Sequence, residues 1–116
     1  MNDLMGLPVD PALQDWLYGQ QVDSRIKLQV MDYYEQRGLV MPDTEEALHF
    51  LVSEIGELSD AYVHQKKDWI RNNEKERDLA EEAADVLMML YVLSLAADIH
   101  PFTRLIKKMK EKLDHE

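Results

Sequence analysis

The sequence predicts an all-α protein: a helical hairpin core with flanking helices, resembling a four-helix bundle and assembled as an oligomer. Three observations carry that expectation. Glycine and proline number only four each in 116 residues, and no long β-branched stretch alternates with period two. Apolar residues recur instead at spacings of three and four, the period of one helix face. Segment 86–93 is apolar throughout, so its helix has no polar stripe and must be covered on several sides by its own bundle or by another subunit.

A chain of this length is expected to form one domain, 1–116, with a core small enough for an oligomer interface to supply much of its apolar burial. The 23 acidic and 13 basic residues give a net charge of −10. That balance argues against affinity for nucleic-acid backbones or anionic membranes, both of which reward Lys and Arg. A phosphate ligand must then arrive with a cation or meet a local basic patch. The absence of cysteine rules out disulfides and thiolate metal sites. Residues 1–6 are acidic and lack a signal-peptide pattern. The eight-residue apolar run 86–93 is far short of the roughly 20 residues of a membrane span. The expectation is a cytoplasmic protein.

Residues 1–19 hold Pro8, Pro11, Trp16 and Tyr18 and read as an arm or a short helix beginning near Pro11, with Asp10 as cap. A first long helix spans about 21–37, with Val22, Ile26, Val30, Tyr33 and Tyr34 on its apolar face and Gly38 as its stop. A second opens with Asp43 or Thr44 as cap and Glu45 and Glu46 in its first turn, where the helix dipole favours negative charge. It carries Leu48, Leu51, Val52, Ile55, Leu58 and Tyr62 and ends between 64 and 69. A polar connection covers 66–77, a third helix 78–97, and a short basic fourth helix 102–113 follows Pro101.

The chemistry concentrates in two carboxylate pairs. Glu54 and Glu57 are three residues apart on the second helix, and Glu82 and Asp85 three apart on the third, so each pair projects from one helical face. Residues 54 and 85, like 57 and 82, are centred on position 69.5, inside the expected turn, and residues symmetric about the turn of an antiparallel hairpin lie level. Four converging carboxylates repel and raise their own pKa values unless a cation sits among them. All-oxygen ligation suits Mg²⁺ or Mn²⁺, and Mg²⁺ completes its octahedron with water or substrate phosphate. Ser53, Gly56, Ala83 and Ala84 leave room beside the acids.

Segments 51–58 (LVSEIGEL) and 81–87 (EEAADVL) resemble the all-α nucleoside triphosphate pyrophosphohydrolases, or MazG-like proteins, over roughly positions 43–110. That family carries an E-x-x-E and a later E-x-x-D pair on neighbouring helices, which Glu54, Glu57, Glu82 and Asp85 match position by position. The resemblance implies that these four bind Mg²⁺, that Lys108 meets a phosphate, and that His64 occupies a place where some members set an aromatic residue against the base. It further implies a homo-oligomer, dimer or tetramer, that splits a nucleoside triphosphate into monophosphate and pyrophosphate. In the implied reaction a water attacks the α-phosphorus, with Glu54 or Glu57 as general base. Ser53 stands where many members have a further glutamate, and Lys112 where members often have asparagine.

Other residues have plainer readings. Lys66, Lys67, Arg71, Lys75 and Arg77 read as solvated loop charge. Trp16, Tyr18 and Trp69 are core or interface aromatics before they are base-stacking platforms. Glu46 and His49 form one copy of a pair that di-iron bundles need twice. Two rival readings remain at this level: a non-catalytic helical assembly or regulatory protein, and a hydrolase on the same scaffold acting on phosphoribosyl-ATP or another pyrophosphate.

Overall fold

The computed structural model describes residues 10–67 and 78–114, with the side chains of 64–67 outside that description. Four helices occur among the described residues, in the order α1 (Pro11–Gln36), α2 (Thr44–Lys67), α3 (Leu79–Ala97) and α4 (Pro101–Asp114), with no strand. The all-α class and the four helices are as the sequence predicts. The connection expected at 66–77 lies almost wholly outside the described residues, with Trp69, Arg71, Lys75 and Arg77. No single described helix is long and apolar enough to cross a membrane.

The caps explain where the helices stop. Asp10 accepts from the Ala12 amide at 3.0 Å, with Pro11 in the first turn, and Asp43 accepts from the Glu46 amide at 2.9 Å. Asp78 accepts from the Ala80 amide at 2.8 Å. In each case a carboxylate satisfies a first-turn N–H that has no intrahelical partner. At the end of α1, Gly38 adopts φ 65°, and the amides of Gly38 and Leu39 return to the carbonyls of Glu35 and Tyr34. The left-handed residue costs glycine nothing, and the reversal closes the helix. Asp98 plays the same part after α3 at φ 52°, where a side chain is tolerated at some cost.

The boundary expected near residue 20 does not exist: the short helix begun at Pro11 and the helix expected at 21–37 are one helix of 26 residues. Gly19 sits where α1 crosses α4. A Cβ added there would lie 2.7 Å from the Thr103 Cα, so glycine is present for close approach, at ~1 kcal/mol of helix propensity.

The helices pair off. The tightest packing joins α2 with α3, and α1 with α4, while α1 also packs on α3. The core is small: Val30, Ala47, Met89, Tyr91 and Val92 are buried together, with Ile26, Tyr34, Leu51, Met88 and Leu95 packed round them. Within the apolar run 86–93 of α3 every residue but Leu87 is buried or half-buried.

One polar junction ties three helices together. The Asp23 carboxylate on α1 is fully buried and accepts four hydrogen bonds. They come from Tyr91 Oη on α3 at 2.7 Å, the Phe102 amide at 3.0 Å, the Thr103 amide at 2.9 Å and Thr103 Oγ1 at 2.7 Å. Asp23 thus caps α4 from a different helix. Gln20 donates to Thr103 Oγ1 at 3.2 Å, completing the seam at the glycine crossing. Burial alone pushes the Asp23 carboxyl up, but the bonds from Thr103, Tyr91 and Phe102 outweigh it and hold the group below the usual carboxylate range. Burial and the bond to Asp23 push the Tyr91 hydroxyl up.

Two outcomes test this junction. Asp23→Ala leaves the α4 amides and two hydroxyls without their acceptor and is expected to lower stability by about 3 kcal/mol in urea unfolding. Because the folded pKa is depressed, the contribution of ionised Asp23 is complete above its unfolded pKa and disappears as pH falls through the folded one. The stability gap between the native chain and the variant should therefore narrow in acid; a gap that is constant with pH would contradict the assignment. Gly19→Ala should destabilise, despite its better helix propensity, by about 1–2 kcal/mol.

Candidate metal centre

The hairpin of α2 and α3 brings together three of the four expected acids. Glu54, Glu82 and Asp85 each place one carboxylate oxygen so that all lie within 4.8 Å of one another, and all three residues are half-buried. The local reason is helical: Glu54 belongs to the α2 row that faces α3, with Leu51, Leu58 and the fully buried Ala47 and Ala61. Glu82 and Asp85 share one α3 face, with Asp78 and Glu81 at the helix start.

Glu57 is exposed and lies outside that triad, yet it shares a hydrogen bond with Glu54. The expected four-acid convergence is thus three clustered carboxylates and one acid beside them. Ala83, Ala84, Ser53 and Gly56 are exposed, and a Cβ at Gly56 would meet nothing within 4 Å. The space beside the acids is open, as their small size implied.

The electrostatics of the cluster are those of a place short of positive charge. Burial pushes the Glu54 carboxyl up, and the charges of Glu57 and Asp85, the shared hydrogen bond and the charge of Glu82 push it further. Oε2 of Glu54 and Oε2 of Glu82 are buried without a hydrogen-bond partner among the described residues. A buried carboxylate oxygen with no donor loses its hydration and gains nothing in return. The donor set consists only of carboxylates, which suits a hard divalent cation. On both counts Glu54, Glu82 and Asp85 fit Mg²⁺ or Mn²⁺.

The remaining residues singled out in the sequence are not gathered at the cluster. Lys108 is exposed on α4, the helix that packs on α1 rather than on α2. The His64 side chain lies outside the described residues. Lys112 and His49 are exposed. Trp16 lines an open cleft of about 860 Å³ between α1 and α4, beside Gln20, His100 and Arg104, and Tyr18 meets Phe102 edge to face with ring centroids 5.6 Å apart. Sequence reasoning missed the Asp23 junction. Its signal was present, since Asp23 interrupts the row Gly19, Ile26 and Val30 as the lone charge on that face.

Linkage gives a test. A carboxyl raised in the folded state adds stability that is present below its unfolded pKa and is lost as pH rises through the folded one. At neutral pH Glu54→Gln should therefore raise the melting temperature of the metal-free protein. It should also abolish stabilisation by Mg²⁺, which for the native chain is about 2.7 kcal/mol at a hundredfold excess over Kd. Equal Mg²⁺ responses from the two proteins would dismiss the site.

No protein-family model matches this chain, no curated protein matches it, and no solved structure matches it.

Proposed function

We propose that this chain is a Mg²⁺-dependent hydrolase of nucleoside triphosphates, releasing monophosphate and pyrophosphate and working as a homo-oligomer. One observation carries the reading: two buried carboxylate oxygens, on Glu54 and Glu82, have no donor and stand with Asp85 in one cluster. A resting surface patch has no reason to desolvate like charges, whereas a cation site must. The resemblance of segments 51–58 and 81–87 to the all-α pyrophosphohydrolases supplies the substrate class.

In this reading Glu54, Glu82 and Asp85 hold the ion, which supplies charge neutralisation for the triphosphate and a lowered pKa for water. Glu57 is the general base, because it is exposed and stands outside the ligating triad while its carboxyl still reaches Glu54. It takes the proton of the water that bonds to the α-phosphorus. The bond between that phosphorus and the bridging oxygen breaks, and pyrophosphate leaves with the electron pair.

Pyrophosphate release should be measured over a panel of ribo- and deoxynucleoside triphosphates, with phosphoribosyl-ATP included, in Mg²⁺ and then in Mn²⁺. The native chain is expected to release pyrophosphate and not orthophosphate. Glu57→Gln and Asp85→Asn should each lose roughly a hundredfold or more in kcat while remaining folded. Turnover confined to phosphoribosyl-ATP would transfer the activity to that substrate. No turnover with either metal would leave the assembly reading in its place.

A further inference from the structure

The cleft between α1 and α4 sets an uncovered aromatic ring beside donors that have nothing to donate to. Its volume is about 860 Å³, within the ~300–1,000 Å³ typical of small-molecule sites. Trp16 on the α1 wall is 53% exposed, although an indole is among the side chains that gain most from burial. Pro101 and Ile106 add apolar surface on the α4 side. The donors come from one turn of chain. His100 lies just before α4, and its carbonyl accepts from the Arg104 amide at 3.1 Å, so the two side chains start one turn apart. Lys27 Nζ stands 3.0 Å from His100 Nδ1. An ammonium has only protons to give, so Nδ1 is the acceptor and the ring hydrogen sits on Nε2. That N–H has no acceptor among the described residues: Asp98 Oδ1 is 3.9 Å away, on a side chain 94% exposed, too far for a hydrogen bond. The Arg104 guanidinium, also on the cleft, has no hydrogen-bond or ion-pair partner among the described residues.

We propose that this cleft binds a small molecule in which a flat aromatic ring carries a phosphate or carboxylate group, the ring lying against Trp16 and the anion meeting Arg104 and the Nε2 hydrogen of His100. A guanidinium fork takes such an anion through two parallel bonds, and an indole face accepts any flat ring. The spacing agrees. Gly19 meets Thr103 at the helix crossing, and Lys110 pairs with Asp15 further along, so α4 runs back along α1. Trp16 is three residues before Gly19 and Arg104 one residue after Thr103, which sets indole and guanidinium within one helical turn of each other, about 5 Å.

The sign of the charge follows from what is already paired. Although the chain carries −10, α4 holds five basic residues against two acidic ones. Two of the acids on the cleft, Asp15 and Glu111, are met by Lys110 and Lys107. At the His100 end the Arg104 guanidinium and the Lys27 ammonium, which faces a neutral ring, outnumber Asp98. An anion is therefore favoured there over a cation. The α4 amides do not hold it, since Asp23 already takes those of Phe102 and Thr103. The cleft belongs to α1 and α4 and the acidic triad to α2 and α3, so a ligand in one does not require a ligand in the other. A nucleoside monophosphate and an aromatic carboxylate share the chemistry that the cleft selects.

Adenosine monophosphate and 1-naphthoate are the two probes, added to the whole chain with a chelator present and no metal. Proton–nitrogen NMR spectra follow the Trp16 indole N–H and the His100 ring, and calorimetry gives Kd. Binding of either probe should move both signals. Adenosine and inorganic phosphate, each with only part of the chemistry, should bind about tenfold more weakly than the monophosphate. Arg104→Gln and Trp16→Leu should each weaken binding by about tenfold, and Glu54→Gln should leave it unchanged. A response to the monophosphate alone would identify a nucleotide as the ligand, and a response to naphthoate alone an aromatic acid. Silence with both probes would overturn the proposal. So would binding that survives Arg104→Gln, or binding lost in Glu54→Gln, which would belong to the acidic cluster. Pyrophosphate release on the same samples separates the two readings: cleft binding without turnover keeps the ligand and removes the hydrolase, whereas turnover without cleft binding does the reverse.

Discussion

Asp23 is the constraint on which the arrangement of this protein depends. A carboxylate fully withdrawn from water is costly, and here the cost is met by two backbone amides and two hydroxyls without any counter-charge. Its partners are long-range: Tyr91 is 68 residues away, and Thr103 is 80. Their convergence is possible only if α1 crosses the start of α4 closely, which Gly19 allows, and if α3 presents Tyr91 inward. Crossing point, α4 origin and α3 rotation are thus a single condition. Lys110 and Asp15, an exposed ion pair further along the same two helices, add little beside it.

The buried carboxylates of Asp23 and Glu54 make opposite cases. Asp23 meets donors on every side and sits low on the pH scale; Glu54 meets other acids and sits high. The first arrangement is complete in the folded chain, so it serves the fold. The second is incomplete, since the ionised cluster is opposed by its own charges and two of its oxygens lack donors. An incomplete buried polar group is retained where something outside the chain completes it. That difference in satisfaction, more than the acidity of either residue, distinguishes the two carboxylates.

The reach of the sequence can be judged element by element. Caps at Asp10 and Asp43 and the stop at Gly38 were legible because capping is local: the acceptor and the amide it serves are two or three residues apart. The pairing of Glu54 with Glu82 and Asp85 was legible because an antiparallel hairpin converts a sequence midpoint into a spatial one. Glu57 was harder, for helical spacing puts it on the same side as Glu54 but does not say which of the two turns inward. The role of Gly19 was not legible because its benefit, the nearness of Thr103, is remote in sequence. Asp23 stood out as a charge in an apolar row, but its partners Tyr91, Phe102 and Thr103 are remote and so were not legible.

The junction and the acidic cluster are not independent features. Tyr91 and Asp85 lie six residues apart on α3, about 9 Å along one rigid helix. A helix that cannot rotate at Tyr91 cannot rotate at Asp85 or Glu82 either, because the ladder of backbone hydrogen bonds transmits the angle. The Tyr91 hydroxyl, seated on Asp23 at 2.7 Å, therefore sets the direction in which the α3 acids meet Glu54. Preorganised ligands that hold their repulsion in the absence of an ion bind that ion more tightly than acids free to swing apart, since no ordering has to accompany binding. The rigidity that Asp23 confers at one end of α3 holds an unfavourable carboxylate cluster in place further along it.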